Sequence, residues 1–153
     1  MPAWAWVTAL VVVSTGIRYA LTRQAVAPWI MVDELIYSEL AKSFAAGGHF
    51  LVREHATAAY GIVYPILLAP AWAIFKAVPD AYAAAKAINA FVMSLAAVPA
   101  YFLARRMLSM PLALAAAALT VSVPSMVYTG TIMTENAFYP IFLATVLAVV
   151  VWL

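Results

Sequence analysis

The chain has 153 residues, of which 68% are hydrophobic and only 9% charged, and its mean hydropathy is +1.02. Soluble domains carry about 25% charged residues, so the composition excludes a soluble globular fold and points to an integral membrane protein. Cysteine is absent, which removes disulfides and thiolate metal sites, and a net charge of +2 gives no basis for nucleic-acid binding.

The apolar runs are broken by proline and lack period-2 alternation, so the expected fold class is all-α rather than a barrel. The first run, about residues 3–21, is just long enough to span a bilayer, with Trp4, Trp6 and Tyr19 suited to the interfaces. It lacks a basic leader and reads as a retained helix, not a cleaved signal. Arg18 and Arg23 lie at its far end, where they are expected to snorkel to head groups or to bind phosphate. A short connector closes at Pro28-Trp29.

Over residues 33–46, Ile36, Leu40 and Phe44, and Tyr37, Ala41 and Ala45, recur at helical spacing, with Glu34, Ser38 and Lys42 expected on the other side. This predicts an interfacial helix, too short and too charged to span, that ends at Gly47-Gly48. A polar loop holding Arg53, Glu54 and His55 follows. Residues 61–78 are apolar but contain Pro65, Pro70 and Lys76, and are read as a second interfacial or re-entrant helix. Residues 84–104 form a cleaner span ending at Arg105-Arg106, and residues 110–128 form another, with Pro124 near its end. A polar connector through Thr134, Glu135 and Asn136 leads to a last apolar run, 137–153. That run rises roughly 25 Å as a helix, less than the bilayer core of about 30 Å. The chain is therefore expected to be part of a longer protein.

Arg105-Arg106 is placed in the cytoplasm by the positive-inside rule, which puts the Glu135 connector outside. With four crossings, and 61–78 not among them, the Asp33-Glu34 loop shares that outer face and the N-terminus lies inside. The expectation is a multi-pass protein of the plasma (cytoplasmic) membrane.

Asp33-Glu34-Leu35-Ile36-Tyr37-Ser38-Glu39-Leu40-Ala41 after a first helix, the Gly-Gly break, Tyr60-Gly61-Ile62-Val63-Tyr64-Pro65, Arg105-Arg106 and Met133-Thr134-Glu135-Asn136 stand in a recognisable order. This order resembles the N-terminal part of the GT-C glycosyltransferases that use polyprenyl-phosphate sugars, such as protein O-mannosyltransferases and aminoarabinose transferases. The resemblance covers nearly the whole chain, 1–153, and implies a partial GT-C fold with two juxtamembrane helices in a long first outer loop.

It also implies a reaction: transfer of a sugar from a polyprenyl-phosphate donor to a glycan, lipid or protein acceptor at the outer face of the cell envelope. Asp33 would be the catalytic base, Glu34 a supporting carboxylate, and Glu135 a second acidic contact. Asp33 and Glu135 would hold a divalent cation such as Mg or Mn if one is used. Where many relatives carry a Lys-Pro-Pro-like element, this chain has none, so Arg53 and His55 are the nearest phosphate contacts, with Tyr37 beside them for substrate. On spacing alone, Asp33-Glu34 is also an ordinary helix start, and Glu135 a first-turn acid after a Thr134 cap. Two rival readings are a transporter or channel segment with Asp33 and Glu135 as ion ligands, and a non-catalytic relative that binds the lipid carrier.

Overall fold

The computed structural model describes residues 2–24, 31–57, 60–122 and 128–153. The expected connector at Pro28-Trp29 and the Pro124 end of the third expected span lie outside these residues. In order, the elements are α1 (Ala3–Thr22), α2 (Val32–Gly47), a small antiparallel hairpin of β1 (Leu51–Val52) and β2 (His55–Ala56), α3 (Val63–Ile74), α4 (Val78–Ser94), α5 (Ala97–Arg105), α6 (Met110–Ser122) and α7 (Glu135–Trp152). Leu51 pairs with Ala56 and Val52 with His55.

Local chemistry sets these boundaries. Gly48 adopts φ 73° at the end of α2, a left-handed position that glycine reaches without steric cost. Pro79 lies in the first turn of α4, where its missing N–H has no helical partner to lose. Pro99 cannot donate to the Leu95 carbonyl, and there the helix tightens: Ala96 N–H bonds to Met93 O and Val98 N–H to Leu95 O, each three residues back. Thus α4 and α5 are one rod of 28 residues, Val78–Arg105, with a tightened turn between them. It begins earlier than the expected 84–104, so Lys86 sits inside the helix and not at its entrance.

Ala3–Thr22, Val78–Arg105 and Glu135–Trp152 are long and apolar enough to cross a membrane. α6 is described over 13 residues, and residues 123–127 of the expected 110–128 span are outside the described set. α3 has 12 residues, a rise of roughly 18 Å, well below bilayer thickness.

Two apolar clusters form the core. One joins α2, α3, the start of α4 and the start of α7 through Tyr37, Leu40, Tyr64, Leu68, Tyr82, Ile132 and Ala137. The other joins α1, α5 and α6 through Val7, Val11, Ala97, Tyr101, Ala113, Ala117 and Val121. The bundle has two chemically distinct ends. The N-terminal turn of α1 lies beside Arg105, whereas Thr22, at the other end of α1, meets Lys86 near the start of α4. The first turns of α2, α4 and α7 gather at this second end.

Polar side chains tie the helices together. Arg18 is 1% exposed; its guanidinium donates to the Val121 carbonyl of α6 and to the Ser14 hydroxyl at 3.3 Å. Lys86 donates to the Thr22 carbonyl at 2.6 Å and lies 4.8 Å from the centre of the Tyr82 ring. The last carbonyls of a helix have no partner within it and carry its negative pole, so Lys86 satisfies the end of α1. Arg18 is therefore a packing residue and does not reach head groups as the sequence suggests.

Candidate functional site

The α2 helix presents its two acids very differently. Met31, not Asp33, precedes the first turn, and no side chain caps the backbone there. Glu34 is fully buried with Tyr37, Ser38 and Ala41, all on one face at helical spacing. This corrects the expected polar stripe of Glu34, Ser38 and Lys42: only Lys42 is exposed, paired with Glu39 at 3.6 Å. Glu34 Oε1 accepts from the Tyr82 hydroxyl and from the Ile132 N–H, each at 2.9 Å. Tyr82 also reaches the Gly130 carbonyl at 3.3 Å. One carboxylate thus joins α2 to α4 and to the connector that precedes Glu135.

Asp33 is half-buried, and its Oδ1 accepts from the Tyr60 hydroxyl at 2.9 Å. The Tyr37 ring lies between Tyr60 and Tyr64, edge-on to both, at 5.2 and 5.3 Å. Glu135 begins α7 and is also half-buried; the Thr134 hydroxyl approaches its Oε2 at 3.5 Å. Thr134 is the residue before the helix, as the sequence suggests, but its side chain makes no cap bond.

Both acids act electrostatically on one phenol. Burial holds Tyr37 above its ordinary ionisation range, the Thr134 hydroxyl opposes that rise, and the charges of Asp33 and Glu135 add to it. Tyr60 is raised chiefly by its bond to Asp33, then by burial and by the charges of Asp33 and Tyr37. Asp33, Tyr37, Tyr60, Thr134 and Glu135 therefore form one cluster at the mouth of the bundle, drawn from α2, the turn before α3 and the start of α7. Beside it, a groove of about 220 Å³ runs between Gly61, Val63 and Tyr64 and the Thr134, Ala137, Phe138 and Ile141 face of α7.

Arg53 and His55 are not brought to this cluster. They are exposed on the hairpin, which packs against the later half of α2 through the Leu51 N–H bond to Ser43 Oγ at 3.2 Å. Ser43 is roughly 15 Å along α2 from Asp33. Arg53 lines a separate groove with Glu39, Lys42 and Glu54. Among the described residues, no three His, Asp or Glu side chains gather as a metal site.

The sequence reading missed Tyr60, Thr134 and the buried layer beneath them. There Tyr64 donates to Asn89 Oδ1 at 3.0 Å, Asn89 donates to the Thr131 carbonyl, and Asn136 donates to the carbonyls of Tyr128, Thr131 and Met133. Polar side chains inside apolar runs were the available signal, because the membrane interior rarely tolerates them without partners.

No protein family, curated protein or solved structure matches the chain.

Proposed function

We propose that this chain is the N-terminal part of a polyprenyl-phosphate-dependent membrane glycosyltransferase, with Asp33 as catalytic base and Glu135 as the second acidic contact. One observation carries the reading. Two acids far apart in sequence both act on the Tyr37 phenol from a single end of the bundle, each half-buried, with Thr134 beside Glu135 lining an apolar groove.

The chemistry follows from that arrangement. A carboxylate that accepts a hydrogen bond from a half-buried tyrosine can exchange it for an acceptor hydroxyl and take the proton as the sugar is transferred. The bond formed is acceptor oxygen to anomeric carbon, and the bond broken is anomeric carbon to phosphate oxygen. The lipid phosphate leaves with the electron pair. The groove along α7 suits the apolar tail of such a donor, while its sugar stays in water. If a divalent cation takes part, Asp33 and Glu135 would be the residues to hold it, and it would neutralise charge on the departing phosphate. Glu34 supports the site from below by holding the connector before Glu135.

In this reading the Asp33 end faces outward and Arg105-Arg106 faces the cytoplasm. A transporter would use Asp33 and Glu135 as ion ligands and need a polar path through the bundle; the buried cations Arg18 and Lys86 instead donate to backbone carbonyls of neighbouring helices, which favours the transferase.

The test supplies membranes carrying the protein with a labelled polyprenyl-phosphate sugar and acceptor. Asp33→Asn should lower transfer by about 10²–10⁴-fold, whereas Asp80→Asn, at an exposed acid in the first turn of α4, should leave it in place. Undiminished transfer by Asp33→Asn would overturn the assignment.

A further inference from the structure

The opposite end of the bundle carries a second groove, separate from the proposed reaction site. It measures about 420 Å³ and lies between the first turns of α1 and the α5 helix, lined by Trp4, Val7, Thr8, Val98, Phe102 and Arg105. Its walls are apolar except at the Arg105 mouth. Trp4 is 71% exposed and Phe102 52% exposed, so the two large rings flank an open channel.

We propose that this groove holds one anionic phospholipid of the cytoplasmic leaflet, its acyl chain along Val7, Thr8, Val98 and Phe102 and its phosphate on Arg105. Charge distribution argues for that occupant. The six acidic residues of the chain belong to α2, the hairpin and the first turns of α4 and α7, all at the other end. Arg105 and the adjacent Arg106 thus form a basic end, and both are exposed. Arg105 Nη1 donates to the Leu108 carbonyl at 2.6 Å, which fixes the side chain at the groove. A guanidinium has five N–H donors in a planar fork, and the remaining ones match phosphate oxygens. A neutral helix in the same groove would cover the charge without supplying an anion, which costs desolvation that a lipid phosphate offsets.

The groove also has the right depth in the bilayer. Trp4, 71% exposed, is a side chain that prefers the head-group level, and basic pockets between helices on the cytoplasmic side are suited to anionic head groups. Its volume falls within the range of small-molecule sites, about 300–1,000 Å³.

The experiment gives the purified protein, in detergent, equimolar phosphatidylglycerol and phosphatidylcholine and counts retained lipid by native mass spectrometry. The protein should retain the anionic lipid in preference, by roughly fivefold, as about 1 kcal/mol per basic residue near the head groups implies. Arg105→Gln should abolish the preference. Thr8→Trp, at an exposed position that leaves Arg105 intact, should fill the channel and reduce retention of the anionic lipid. Equal retention of the two lipids, an unchanged preference in either variant, or a lipid-free dimer joined through this face would overturn the proposal.

Discussion

Asp33 and Glu34 differ by one position and have opposite surroundings, because successive residues of a helix point about 100° apart. Glu34 turns inward, and its value is structural. Removing it leaves the Ile132 N–H buried without a partner and Tyr82 with only the Gly130 carbonyl. Glu34→Ala should therefore cost about 3 kcal/mol, from a lost bond to a charged group and an unsatisfied donor. Glu34→Gln keeps a carbonyl acceptor and should lie much closer to the parent. Denaturant unfolding of the two variants checks this, and equal stabilities would show that the carboxylate is not the tie.

The phenols above it respond to pH. Tyr37 and Tyr60 both ionise above their ordinary value when folded, so the native state keeps protons that the unfolded chain releases. Their stabilisation is complete below the unfolded value, about pH 10, and declines as pH rises through the higher folded values. A plot of Tm against pH should bend downward above about pH 10, and Tyr37→Phe should bend less.

At the scale of elements, the hairpin is the clearest case of a local conflict. Its two-residue turn places Arg53 at φ 48° and Glu54 at φ 70°, where asparagine and glycine are the residues of choice. The double change Arg53→Asn, Glu54→Gly should stabilise the protein by about 1 kcal/mol. It should leave transfer in place, because Arg53 lies by Ser43 and not by Asp33. A loss of transfer alongside the gain in stability would return Arg53 to the substrate site.

The same scale shows what could be read from residue order. Helical segments, the break at Gly48 and the short α3 follow from proline, glycine and apolar spacing, which act within a few residues. The face of α2 did not follow. Its burial is decided by Tyr82 and Ile132, which approach from 48 and 98 residues away, and no local pattern records that Glu34 has partners there. That Asp33 and Glu135 both act on Tyr37 was not recorded in any local pattern, and Tyr60 emerged only through the fold itself.

For the whole molecule, the two ends of the bundle make a direct test of topology. The chain contains no cysteine, so single replacements give clean labelling sites. Glu54→Cys and Asp80→Cys should react with an impermeant thiol reagent from one side of sealed vesicles. Met107→Cys, at a residue 90% exposed, should react from the other. If Glu54→Cys labels together with Met107→Cys while Asp80→Cys labels from the opposite side, then α3 crosses the bilayer and the shared Asp33–Glu135 site is lost.

The Arg18 contact has a consequence for biosynthesis. Its acceptor, the Val121 carbonyl, is 103 residues downstream, and the partner of the Thr22 carbonyl, Lys86, is 64 residues downstream. Chains emerge from the ribosome N-terminal end first, at about 5–20 residues per second. For several seconds, then, α1 exists with a charged side chain near its end and no helix to receive it. During that interval Arg18 has only Ser14 and the lipid head groups within reach, which is the snorkelling position that the isolated sequence suggests. Once α6 has emerged, the Val121 carbonyl can take the Arg18 guanidinium and fix the far end of α1 against α6, before α7 joins the bundle.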